Sequence, residues 1–138
     1  WAMGHTGRFK AIVCGAPCFD IESFFGTSDI GHLFTESQNG GLPWTHREQI
    51  AAQSPSTFIH NAKTPTLIVH GEADERCPIG QGEQLFVSLK KLGVEVEFAR
   101  YPGGFHGFVT SGEPTHRLDY YERSLGWFKR LLGDPAEA

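Results

Sequence analysis

The sequence lacks any apolar run long enough to cross a lipid bilayer, and no basic segment followed by an apolar one opens it. We therefore expect no membrane partner. Positive charge is also in short supply, because 12 Lys and Arg residues stand against 16 Asp and Glu residues, which gives a net charge of −4. Nucleic-acid binding draws on clustered positive charge, so we expect no nucleic-acid partner either. An apolar content of 39% is ordinary for a folded globular chain.

Cysteines and metal-ligand patterns are few. The three cysteines, Cys14, Cys18 and Cys77, form no C-x-x-C pair and leave one over. A disulfide framework is therefore not expected, and a reducing compartment is, so we predict a cytoplasmic location. The histidines never fall into H-x-x-x-H or H-E-x-x-H patterns, and no cysteine has metal-ligand spacing, so we predict no metal site.

Strand and helix patterns alternate along the chain. Apolar runs at residues 9–14 and 66–70 are typical of strands buried on both faces of a parallel sheet, and residues 94–99 alternate apolar with polar. Helices are predicted over residues 20–25, 46–53, 80–92 and 114–132, whereas residues 26–44 are expected to form one long loop. The order predicts an α/β fold with parallel strands and flanking helices. The last helix carries an apolar stripe: Leu118, Tyr121, Leu125, Phe128 and Leu132.

Two polar side chains follow two of these strands directly. Asp74 comes just after the second strand, and His106, with glycines at 103, 104 and 107, comes just after the third. The carboxyl ends of parallel strands share one rim, so the fold brings both residues together. An acid and then a histidine in this chain order match the last two members of a Ser-Asp-His triad. Taken singly, Asp74 could merely start a turn and His106 could be a surface histidine; the pairing and spacing favour the triad.

The serine of such a triad is missing from the chain. The α/β-hydrolase nucleophile lies in a G-x-S-x-G motif, and no serine here has that glycine pattern. We therefore interpret the chain as the C-terminal half of an α/β-hydrolase domain. The serines without the motif are Ser23, Ser28, Ser37, Ser54, Ser56, Ser88, Ser111 and Ser124.

The motifs His70-Gly-Glu-Ala-Asp74-Glu-Arg76-Cys77-Pro78 and Tyr101-Pro-Gly-Gly-Phe-His106-Gly107-Phe108, with the segments around them, resemble the catalytic region of the prolyl oligopeptidase family. The acylaminoacyl-peptidase branch is the most similar. The resemblance covers nearly the whole chain and implies serine peptidase chemistry without a cofactor. It also implies a nucleophile a few residues before Trp1 and an N-terminal β-propeller that restricts access to short peptides.

The resemblance assigns roles to particular residues. Asp74 matches the triad acid, His106 the base, and Arg76 a residue that holds a substrate carbonyl near the cleaved bond. The alternative for Arg76 is a surface ion pair with Glu72 or Glu75. Cys77 is a further candidate substrate-binding residue, and the sequence favours packing over a nucleophilic role for it. Cys18, Ile21, Phe24 and Phe25 match an apolar pocket for the side chain on the acyl side of the scissile bond, although such residues are equally typical of core.

The sequence thus predicts part of a serine oligopeptidase or acylaminoacyl-peptidase. Its partners would be a short peptide substrate, the remainder of the same peptidase carrying the serine, and possible further copies of itself. A carboxylesterase with the same triad is the first alternative. A non-catalytic fragment or interaction module is the second, because these 138 residues alone supply no nucleophile.

Overall fold

A computed structural model describes residues 1–133. Three strands, β1 (Ile12–Gly15), β2 (Thr66–Gly71) and β3 (Val96–Tyr101), form a parallel sheet in the order β1-β2-β3. Thr66 of β2 pairs with Ile12 on one side and Val96 on the other. The described sheet is therefore parallel throughout, as its sequence pattern predicts.

Helices cover both faces of the sheet, so β2 is buried on both sides. All six residues of β2 are buried. Ile68 contributes to one core cluster, with α-helical Leu85 and Leu89, whereas Leu67 and Val69 contribute to a second cluster with Trp127. The helices are α1 (Ala2–His5), α2 (Ile21–Thr27), α3 (Gly31–Gln38), α4 (Arg47–Gln53), α5 (Ile79–Lys91), α6 (Phe108–Ser111) and α7 (Pro114–Leu132), with a 3-10 helix at Pro55–Asn61.

The long loop predicted over residues 26–44 is wrong in part, because α3 lies within it. The sequence of α3 is largely polar and gives little apolar periodicity. Its helix is instead stabilised by packing on α2: the Phe34 ring meets Phe24 edge to face, and Thr35 is fully buried. Gly31 allows the close approach, since a Cβ there would overlap the carbonyl oxygens of Phe24 and Phe25.

The apolar stripe of α7 lies on the outer side of the helix. Leu118, Tyr121, Leu125 and Leu132 are each more than half exposed, and Phe128 is exposed at 36%. The side facing the sheet is formed by Tyr120, Trp127 and Leu131. Among residues 1–133, no helix has both the length and the apolarity that a membrane crossing requires.

Candidate functional site

Asp74 is held in the turn between β2 and α5. Its carboxylate is almost fully buried, with 4% of the residue exposed. One oxygen, Oδ1, accepts hydrogen bonds from the backbone N–H groups of Arg76 (3.0 Å) and Cys77 (2.8 Å). These two bonds fix the orientation of the carboxylate and leave Oδ2 pointing to other partners.

His106 meets that second oxygen. Its Nδ1 lies 2.9 Å from Oδ2 of Asp74, and 48% of its side chain is exposed. A carboxylate only accepts, so Nδ1 carries the proton and Nε2 of the neutral ring is an acceptor. No hydrogen bond within the described part of the chain uses Nε2. The ring is thus oriented from one side and open to a reacting group on the other.

Backbone contacts hold the two loops together. Glu72 N–H donates to the Tyr101 carbonyl and Ala73 N–H to the Gly104 carbonyl, both at 2.9 Å. Gly71 makes this approach possible, because a Cβ on it would overlap the carbonyl oxygen of Gly104. The glycines around His106, Gly104 among them, are those expected of a tight turn with close approach. No role was predicted for Gly71, whose position at the end of a strand was the available signal.

His70, at the end of β2, is a second histidine beside Asp74 and was missed as a site residue. It is fully buried, and its Nε2 lies 2.7 Å from the Cys77 carbonyl oxygen and 3.5 Å from Oδ2 of Asp74. A carbonyl only accepts, so Nε2 carries the proton. Nδ1 is buried without a hydrogen-bond partner among residues 1–133. Burial lowers the pKa of His70, and the Cys77 carbonyl and Asp74 oppose that shift.

This burial predicts a pH-dependent stability. The folded pKa of His70 lies below its unfolded value of about 6.5, so the unfolded state binds more protons as the pH falls through that value. The contribution of His70 is complete above about pH 6.5 and is lost below it. We expect the thermal midpoint of the full-length protein to fall less between pH 7.5 and 5.5 in His70→Gln than in wild type. Equal falls in the two proteins would exclude His70 as a source.

Arg76 pairs with Asp29 and not with Glu72 or Glu75. Its Nε and Nη2 donate to the two oxygens of Asp29 at 2.8 and 3.2 Å. Glu72 pairs with Arg100 instead, at 2.8 Å. The predicted surface ion pair with Glu72 or Glu75 is therefore wrong in its partners. Among residues 1–133, no hydrogen bond uses the remaining N–H groups of the guanidinium.

Cys77 is a poor nucleophile where it lies. Burial raises the pKa of its thiol to about 12, helped by the nearby Cys18 and Asp74, so the thiolate is scarce at neutral pH. Burial also raises the pKa of Cys18 to about 11. The packing role that the sequence favours for Cys77 is consistent with these shifts.

The four residues predicted for an apolar pocket are not gathered into one cavity. Cys18 lines an apolar cavity of about 120 Å³ together with Cys14 and Leu85, without the other three. Ile21 and Phe24 are buried core residues. The half-buried Phe25 packs edge to face on Trp44, with ring centroids 5.6 Å apart.

A different cavity, of about 430 Å³, lies beside His106. Ala16, at the end of β1, has a φ of 42°, a left-handed conformation that is unfavourable for a residue with a side chain. Its N–H donates to the Val69 carbonyl at 3.0 Å, which holds it there. The cavity is lined by Gly15, Ala16, Val69, His106, Phe108, Val109 and Tyr120.

The described residues include no group of three His, Cys, Asp or Glu side chains placed to hold a metal ion.

The curated relatives of this chain are named as peptidases. The chain is 40% identical to a protein named uncharacterized peptidase YuxL of Bacillus subtilis over 132 residues, which are 96% of this chain and 20% of the relative. It is 28% identical to dipeptidyl-peptidase 5 of Porphyromonas gingivalis over 138 residues, with 96% of this chain and 19% of that one covered. The chain thus spans about a fifth of the length of the curated relatives it matches.

Solved structures and a family model agree with these relatives. The uncomplexed acylaminoacyl peptidase of Pyrococcus horikoshii superposes with a TM-score of 0.92 at 32% identity, over 100% of this chain and 23% of that one. The fold is therefore that of the corresponding part of an α/β-hydrolase. The model described as the prolyl oligopeptidase family matches residues 1–135, and the chain accordingly belongs to the prolyl oligopeptidase family.

Proposed function

We propose that the full-length protein containing this chain is a serine peptidase, in which His106 is the general base and Asp74 orients it. The observation that carries the proposal is the 2.9 Å contact between Nδ1 of the half-exposed His106 and Oδ2 of the buried Asp74. The nucleophilic serine is proposed to lie outside these residues, within reach of Nε2. The cavity beside His106 offers room for that segment.

The proposed reaction is acyl transfer. Nε2 of His106 takes the serine proton as the serine oxygen bonds to the scissile carbonyl carbon, and the imidazolium then gives this proton to the leaving amine as the C–N bond breaks. Water then gives a proton to the same nitrogen as its oxygen bonds to the acyl carbon. The bond between that carbon and the serine oxygen breaks, the proton passes to the serine oxygen, and the acid product leaves. Asp74 stays ionised and stabilises the imidazolium, while the N–H groups of Arg76 and Cys77 hold the carboxylate in place.

Short peptides are the proposed substrates. One acylaminoacyl peptidase in the comparison, 32% identical, is described in complex with Z-Gly-Gly-Phe-chloromethyl ketone, which is a blocked peptide. The half-buried Cys18 and Phe25 are proposed to contact the acyl-side side chain, with Ile21 and Phe24 packing behind them, and Cys77 to lie beside the bound peptide. The absence of a cofactor, the cytoplasmic location and further copies as partners stay predictions.

The first test is hydrolysis of blocked peptide p-nitroanilides by the full-length protein, with p-nitrophenyl acetate as a small ester. We expect both to be hydrolysed and the peptide to give the higher kcat/KM. Hydrolysis of the ester alone would favour a carboxylesterase. Hydrolysis of neither would favour a non-catalytic role.

Arg76→Ala tests the proposed peptide anchor. A hydrogen bond from a charged guanidinium to a substrate carbonyl is stronger than a neutral one, so we expect kcat/KM for a peptide to fall about tenfold to a hundredfold. The acetate ester has only the carbonyl that is cleaved and no second one for Arg76 to bind. Its hydrolysis should therefore change less than about twofold. Equal losses on both substrates would count against an anchoring role.

A further inference from the structure

Asp29 binds the guanidinium of Arg76 side-on. The contacts of Nε with Oδ1 at 2.8 Å and of Nη2 with Oδ2 at 3.2 Å use two of the five N–H donors. In the described part of the chain, no other hydrogen bond involves this side chain. Three donors, two on Nη1 and one on Nη2, stay available in a direction that Asp29 sets.

The pair is more than a chance surface contact, because the backbone on both sides is fastened as well. Ser28 Oγ donates to the Arg76 carbonyl at 2.7 Å, and Asp29 N–H donates to the Glu75 carbonyl at 3.0 Å. An exposed ion pair is screened by water and adds little to the free energy of unfolding. Its side chains here are 45% and 39% exposed, so the contribution to stability is small. What the four contacts do is dock the connection between α2 and α3 onto the loop that carries Asp74.

The pairing also changes the charge that Arg76 presents. The hydrogen bonds from Arg76 lower the pKa of Asp29, so the carboxylate is ionised at neutral pH and compensates the charge of the guanidinium. A compensated guanidinium still donates hydrogen bonds to a neutral carbonyl. It attracts a carboxylate less than a free guanidinium does, because the net charge of the pair is zero.

We propose that Asp29 is a positioning and specificity residue: it aims the free donors of Arg76 at a neutral carbonyl of the bound peptide and disfavours a carboxylate there. This inference rests on the proposed peptidase function. It adds a preference for substrates whose acyl side is uncharged at that position, such as acetylated or extended peptides. Asp29 itself touches no substrate and acts through Arg76.

The test compares three variants of the full-length protein on three substrates. The variants are Asp29→Ala, Asp29→Glu and the matched control Glu22→Ala. Glu22 is an exposed residue of α2, the helix that leads to Asp29. Like Asp29 it pairs with an arginine: its carboxylate lies 3.2 Å from the guanidinium of Arg47 in α4. The substrates are an acetyl-blocked peptide p-nitroanilide, the succinyl-blocked form of the same peptide, and p-nitrophenyl acetate.

For Asp29→Ala we expect KM for the acetyl peptide to rise about threefold to tenfold with kcat nearly unchanged, since a misdirected hydrogen bond of ordinary strength is lost. The succinyl peptide, which carries a carboxylate, should gain about threefold or more relative to the acetyl peptide. Asp29→Glu should recover part of the KM, and Glu22→Ala should match wild type on all three substrates.

Distinct outcomes separate this inference from the function it rests on. Unchanged KM and unchanged acetyl-to-succinyl preference in Asp29→Ala, with active wild type, would overturn the role of Asp29 and leave the peptidase proposal standing. Equal losses on peptides and ester would show a structural role and overturn it too. Wild-type protein that hydrolyses no peptide would overturn both.

Discussion

Replacing Asp74 by asparagine in the full-length protein is expected to lower turnover by about 10⁴, the loss seen when a triad aspartate of a serine protease is changed in this way. Asparagine has the shape of the carboxylate, but its amide group can donate to Nδ1 and so favours the wrong histidine tautomer. It also lacks the charge that stabilises the imidazolium. The measurement is kcat on a blocked peptide p-nitroanilide.

The thermal midpoint controls for folding. The Arg76 and Cys77 N–H groups need an acceptor at Oδ1, and the asparagine oxygen supplies one. We therefore expect the variant to fold with a midpoint close to wild type. A loss in kcat of less than about tenfold would remove Asp74 from the triad, because orientation of the base would then come from another group.

Gly71→Ala is the second change with a large expected effect. The added Cβ would overlap the Gly104 carbonyl oxygen, and both are backbone-anchored, so the loop that carries His106 must move away from the loop that carries Asp74. Overpacking of this kind costs about 1–3 kcal/mol of stability. A displacement of about 1 Å between catalytic groups can cost about 10²-fold in rate, so we expect kcat to fall at least that much.

Gly80→Ala is the matched control. Gly80 lies in α5, the helix that follows the same loop. Apart from its chain neighbours and the backbone of its own helix, no atom of the described residues lies within 4 Å of the Cβ it would gain. Alanine is favoured over glycine in a helix by about 1 kcal/mol, so this variant should be at least as stable as wild type and fully active. Normal activity in Gly71→Ala would contradict the claim that the close approach of the two loops positions Asp74 and His106.

The pairing of Asp74 with His106 could be predicted from chain order, because the loops that leave neighbouring parallel strands lie at the same end of the sheet. Each residue follows a buried strand, and neighbouring parallel strands end at one rim. The limits of α7 were equally predictable, since its sequence opens with Pro114 and closes before Gly133. Its outward stripe was not, because the periodicity of a helix identifies a face and not the element that covers it.

Other parts of the site carry no local signal. Asp29 and Arg76 are 47 residues apart, and nothing around Asp29 marks it as a partner of a guanidinium. The helix α3 depends on tertiary packing of Thr35 and Phe34 against α2. His70 ends an apolar strand, where a histidine is as compatible with exposure as with the full burial observed. These features depend on contacts between segments far apart in the sequence, and no short stretch of residues indicates which segments will meet.

Labelling of the full-length protein with a fluorophosphonate, followed by mass mapping, shows whether His106 activates a serine. A fluorophosphonate reacts with a serine only where a base activates it. We expect one labelled serine outside these 138 residues in wild type, and labelling about 10³-fold slower or more in His106→Ala. Labelling at wild-type rate without His106, or no labelled serine in the wild-type protein, would contradict activation of a serine by His106.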